Sequence, residues 1–270
     1  MAANIDVKPS VESAVTSGVN FRQSLAELKK ICHKVINLEQ NAQLRIQQGK
    51  ESDVSKIGNY VRQGSVHYQG ETGIIVAESP YLTNATMLRE AIKENSEGRY
   101  FSTPNRKLYD KFFKQVQEDA SKHPRERRAV FMPSEGRFTI SQTQNPEVFE
   151  FLLGEFGQDY LNFVGQNSLD LFPISQETLK SYSGTVPIQV WFGRLGVYGS
   201  DLVGDGYGLN NKDGMVRGVR QLVSTEGANA SQISRQAGSE LYTPAQITEA
   251  LEEMKLTGLE AQLMKKLRKR

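Results

Sequence analysis

A chain of 270 residues with 38% hydrophobic and 24% charged side chains can bury a real core as one large domain or two modest ones, and this composition excludes wholesale disorder. Its longest purely apolar runs, such as Ile74-Ile75-Val76-Ala77, fall far short of the roughly 18 residues of a spanning helix. Met1 to Asp6 has no basic stretch leading into an apolar one, so neither a membrane protein nor a secreted one is expected. The single cysteine, Cys32, cannot close an internal disulfide, which fits a reducing compartment; a soluble cytoplasmic protein is the expectation.

The net charge of +2 hides an uneven distribution. Residues 99–128 carry 9 basic and 4 acidic side chains, residues 129–264 are acidic overall, and the chain closes on Lys265, Lys266, Arg268, Lys269 and Arg270. Two basic segments therefore flank an acidic stretch. Solvated surface accounts for such a pattern, and so does contact with nucleic acid or an acidic protein.

In chain order, residues 1–20 lack periodicity and read as an extended arm. From Phe21, apolar residues at Leu25, Leu28, Cys32, Val35 and Ala42 recur at helical spacing, and Gly49 stands as a C-terminal stop; the spacing predicts one long helix over 21–48. Gly58, Gly64, Gly70 and Gly73 interrupt β-prone runs, predicting a hairpin or small meander over 57–77. Helices are predicted at 84–95 and at 104–122, the latter opened by Thr103 and Pro104 with a buried stripe of Leu108, Phe112, Val116 and Ala120. Arg128–Phe131 and Arg137–Ile140 look like two strands joined by a Pro/Gly turn. Helical pieces follow from Asn145-Pro146, over 159–164, and from Ser175, and 186–192 reads as a buried strand. Residues 215–223 are predicted helical, 226–242 a linker, and 243–270 a helical arm that opens at Thr243-Pro244 and ends in the basic tail.

Familiar catalytic signatures are absent: there is no G-x-S-x-G elbow, phosphate loop, H-E-x-x-H or C-x-x-C. His33, His67 and His123 fall in separate predicted elements, and adjacent Cys32 and His33 diverge by about 100° on a helix, so they form no nucleophile–base pair. The unusual stretch is Gly193 to Gly214, dense in glycine, aspartate and asparagine. It fails as a dinucleotide fingerprint because Leu209 stands where a third glycine is needed. It fails as an EF-hand because Val203 and Lys212 occupy ligand positions. Asp201, Asp205, Asn210, Asn211 and Asp213 are still the oxygen donors from which an irregular calcium or magnesium site would be built, and the same residues suit an ordinary turn-rich surface loop.

The fold expected is α+β: several helices around a small, mainly antiparallel sheet, with helical arms at both ends of a body spanning 21–225. The leading functional reading is a non-enzymatic structural or interaction protein that forms a homo-oligomer or joins a larger assembly, using Leu25, Leu28 and Val35 at one end and Leu259, Leu263 and Leu267 at the other. Two alternatives stand beside it. One is a metal-dependent enzyme centred on the 193–214 loop; the other is a nucleic-acid-binding protein using Lys107, Lys111, Lys114, Arg125, Arg127, Arg128 and the tail. No organic cofactor is expected.

Overall fold

The computed structural model describes residues 12–15, 20–31, 33–195, 202–203, 209 and 215–220. Its elements, in order, begin with β1 (Glu12–Val15), α1 (Phe21–Lys30), β2 (His33–Val35), α2 (Leu38–Gln48), α3 (Asp53–Lys56), β3 (Asn59–Tyr68) and β4 (Ile74–Val76). Then come α4 (Pro80–Thr83), α5 (Ala85–Ser96), α6 (Lys107–Asp119), β5 (Ala129–Phe131), β6 (Phe138–Ile140), α7 (Pro146–Leu153) and α8 (Gly157–Val164). The last are β7 (Leu169–Phe172), α9 (Gln176–Leu179), β8 (Thr185–Phe192), β9 (Leu202–Val203) and β10 (Met215–Arg220). The fold is α+β, and among the described residues a mixed sheet of ten strands, ordered β1-β10-β3-β8-β9-β7-β6 along its main path, is larger than the small sheet expected. β2 also pairs with β10, and β4 bridges β3 to β5. Most pairs are antiparallel; β10 with β3 and β7 with β9 are parallel. Among the described residues, no helix is long and apolar enough to cross a membrane.

β3 and β8 form the spine, because both carry β-branched or aromatic residues buried on both faces. Their register shifts between Tyr60 and Gly64, a bulge in β3. The bulged backbone finds partners elsewhere: the Arg62 amide donates to Ile36 O at 2.8 Å, and Ser79 N donates to Arg62 O at 2.8 Å. The Gln189 side chain in β8 donates to Val61 O and Gln63 O, standing in for the missing ladder bonds. The main core lies between this sheet and α2, α7 and α8, and includes Leu38, Val61, Ile75, Phe149, Leu152, Tyr160 and Phe192.

Several expectations are corrected. The helix predicted over 21–48 is two helices, because α1 ends at the Ile31 C-cap, β2 pairs with β10, and Asn37 with Gln40 forms a complete capping box that restarts the chain as α2. Leu28 and Val35 are buried within the chain's own core beside Phe21, Tyr60 and Val216, with Leu25 packed partly against them. Within the arm 1–20, residues 12–15 form an edge strand on β10. The helix predicted from Pro104 starts at Lys107, because Thr103 exchanges backbone bonds with Thr185 at 2.9 and 3.1 Å and is thereby held extended. Its buried stripe is Tyr109, Phe112, Val116 and Asp119; Ala120 is exposed and Leu108 half-buried. β5 and β6 do not form a hairpin: β5 pairs with β4 and β6 with β7. Residues 215–220 are strand β10, not helix. The predicted linker 226–242 and arm 243–270 lie outside the described residues.

Candidate functional site

The end of β8 runs into the glycine-rich stretch, and the described residues on either side of it are tied to one short segment of chain. Leu195 N donates to Ser55 O at 2.8 Å at the start, and Met215 N donates to Gly58 O at 3.2 Å at the finish. Between them, Leu202 and Val203 form β9, wedged between β8 and β7. Leu209 is buried in the α1 core and accepts from Phe21 N at 3.1 Å. Residues 52–59, which carry α3 and the first residue of β3, thus hold both ends of the loop.

That segment is locked by two buried arginines and an asparagine. Arg45 reaches in from α2, where Leu38, Ala42 and Arg45 share one helical stripe. It is fully enclosed. Its Nε donates to Val54 O at 3.0 Å, Nη1 to the Tyr160 hydroxyl at 2.9 Å, and Nη2 to Gly193 O at 2.8 Å and Phe192 O at 3.3 Å. The guanidinium lies 3.8 Å from the Phe192 ring centroid, a desolvated cation–π contact. No carboxylate among the described residues forms an ion pair with it. Burial therefore pulls its pKa below the ordinary arginine value, with the Tyr160 oxygen acting the other way. The planar fork makes this possible, because three carbonyls and a hydroxyl lie around one rigid group.

On the opposite side, Asn59 donates from Nδ2 to Val54 O at 3.0 Å and Ile57 O at 2.7 Å, while its Oδ1 accepts from Arg217 Nε at 3.0 Å. Val54 O is shared by Arg45 and Asn59, so the two ends of the loop are joined through one carbonyl. Gly58 is required for close approach: a β-carbon there would overlap the Trp191 indole. Trp191, the only tryptophan, stacks edge-on against Tyr60 at 4.7 Å, and Tyr60 contacts Phe21 at 4.9 Å, so the loop base rests on a run of aromatic rings.

The five proposed oxygen donors, Asp201, Asp205, Asn210, Asn211 and Asp213, lie outside the described residues, as do Lys265, Lys266, Arg268, Lys269, Arg270, Leu259, Leu263 and Leu267. Among the described residues, no group of three or more His, Cys, Asp or Glu side chains is placed to hold a metal. Lys107, Lys111 and Lys114 are exposed on α6, with Lys114 3.6 Å from Glu118. The arginines that follow are committed to carboxylates. Arg125 meets Glu39 at 3.5 Å and Glu155 at 3.7 Å, and Arg127 pairs with Glu147 and donates to Ala120 O and Lys122 O. Arg128 forks onto Asp119 and also reaches Glu118. Asp119 is closed off from solvent; Arg128, with Lys122 beside it, holds its carboxyl well below the usual range. Arg125 and Arg127 thus fasten the turn after α6 to α2 and to α7, and Arg128 ties it back to the end of α6.

The loop-base residues Arg45, Asn59, Tyr160 and Arg217 were not singled out from the sequence. The available signal was a charge at an apolar stripe position: Arg45 follows Leu38 and Ala42 at helical spacing, and Arg217 alternates with Met215 and Val219.

No family model and no curated protein matches the chain. Among solved structures, its fold is similar to that of a protein reported under the words "Accommodation of massive sequence variation in Nanoarchaeota by the C-type lectin fold". The TM-score is 0.51 at 14% identity, covering 77% of this chain and 96% of that one.

Proposed function

We propose that this chain is a non-enzymatic interaction protein that self-associates or joins a larger assembly, and that it presents the 193–214 loop to its partner. The observation that carries this reading is the clamp at the loop base: Arg45 spends four hydrogen bonds on holding Val54, Tyr160, Phe192 and Gly193. The polar groups there position backbone; they are not arranged as a nucleophile with its base. A segment pinned at both ends and again at Leu202–Val203 and Leu209, and rich in glycine, aspartate and asparagine between those points, is suited to recognition on a rigid scaffold. The fold neighbour's own description, massive sequence variation accommodated by the C-type lectin fold, supports a frame that tolerates such a segment, as an analogy of fold alone.

Self-association is tested first, by size-exclusion chromatography with light scattering at low and high salt, on the wild type and on an Asp201→Ala, Asp205→Ala double variant. The reading expects wild-type association that weakens in salt and is lost in the variant, with the melting temperature unchanged. A wild type that stays monomeric at every salt and captures no partner overturns it. If instead calcium or magnesium raises the melting temperature of the wild type and not of the variant, the loop is a metal site.

A further inference from the structure

We propose that the buried Ser65–His67 pair is an acid-operated latch on the main core, keeping β3, β4 and β5 packed at neutral pH and releasing them when the imidazole takes up a proton. Both residues lie on one face of β3, two positions apart. Ser65 Oγ and His67 Nε2 are 2.9 Å apart, and both residues are buried. The imidazole is shut in by the strand around it: His67 stands opposite Val186 of β8. Its Nδ1 edge faces Gly73, where a β-carbon would lie 3.2 Å from Nδ1 and would collide with the Met132 sulfur after β5.

Ser65 also lines a small apolar cavity with Leu38 of α2, Met132, Leu152 of α7 and Val190 of β8. Ser65 therefore borders the place where β3, β4 and the end of β5 meet α2 and α7, with His67 beside it on β3. No acidic or basic side chain among the described residues shifts the imidazole; burial alone pushes its pKa down, to about 3. A serine hydroxyl can accept a hydrogen bond but cannot neutralise a cation, so among the described residues nothing compensates the charge of a protonated His67 in the core.

The sign follows from linkage. The group's pKa is lower folded than unfolded, so its neutral form contributes stability that is complete above the ordinary histidine pKa and is lost as pH falls toward the folded value. Between pH 7 and pH 5 this one group raises the unfolding equilibrium constant roughly 25-fold.

The test uses the full chain. Circular dichroism and amide exchange across β3–β5 are followed from pH 7 to pH 3 in the wild type and in His67→Gln, which keeps a hydrogen-bonding group and removes the titration. The wild type is expected to open in acid with exchange rising first in β3–β5, and the variant to open about one pH unit lower. Equal midpoints overturn the proposal. Should the variant fail to fold at neutral pH, the imidazole signals of the wild type decide: His67 must stay neutral between pH 8 and pH 5, and titration with an ordinary midpoint overturns the latch.

Discussion

Replacing Arg45 with methionine tests the loop-base clamp, because methionine keeps much of the apolar stem and deletes the guanidinium. Four donor bonds disappear; the carbonyls of Phe192 and Gly193 lose this donor, while Val54 O keeps its bond from Asn59. Each buried carbonyl that loses its donor costs about 1–3 kcal/mol, a figure that already includes the exchange with water. With two carbonyls so affected, the destabilisation expected is about 2–6 kcal/mol. Urea unfolding followed by Trp191 fluorescence and by far-ultraviolet circular dichroism measures it. Amide exchange at 192–195 should rise more than exchange in α6, which is remote from the clamp. An Arg45→Lys variant should recover little, since one ammonium cannot span the same acceptors. A loss below about 1 kcal/mol, or unchanged exchange at 192–195, would refute the view that this side chain holds the loop.

Three further expectations concern separate parts of the chain. Gly58→Ala should push the Trp191 indole out of its seat, shifting the emission of the only tryptophan and lowering stability by about 1–3 kcal/mol; an unaltered spectrum would show that the contact yields easily. Asn41 is fully buried in α2 with neither amide atom bonded among the described residues, so Asn41→Leu should raise stability by about 1 kcal/mol in urea unfolding, whereas a loss would reveal a hidden polar partner. Deleting 259–270 should leave the melting temperature of the remaining chain unaltered and weaken salt-sensitive association; full association without those residues would remove the basic tail from the account.

Much of the fold is legible where local signals and tertiary context agree. Pro146 at the first turn of α7, the Ser175 cap that accepts from Thr178 N at 3.1 Å, and the β-branched run of β8 each stand where their chemistry predicts. The failures have physical causes of one kind. Thr103-Pro104 is a sound helix start, yet Thr103 is drawn into a backbone bridge with Thr185, so tertiary pairing overrides the local preference. The break between α1 and α2 is written in Asn37 and Gln40, but the apolar spacing runs across it and conceals the cap. β10 contains Gly218 and two arginines and shows its strand character only once β1, β2 and β3 supply partners. The loop base was illegible for a related reason. Arg45, Asn59 and Arg217 are distant in sequence and meet through Val54 O and Asn59. The Arg125–Arg128 run was conspicuous, whereas its carboxylate partners Glu39, Glu118, Glu147 and Glu155 are scattered and become visible only in the fold.

The claim that a rigid frame presents 193–214 for binding is tested most directly by exchanging residues 204–208 for a glycine–serine segment of equal length. Thermal unfolding and association are then measured on the same sample. The clamp at Arg45, Asn59 and Arg217 lies outside the exchanged residues, so the melting temperature and the Trp191 emission should match the wild type while association is lost. A variant that unfolds, or one that associates as the wild type does, would contradict the account.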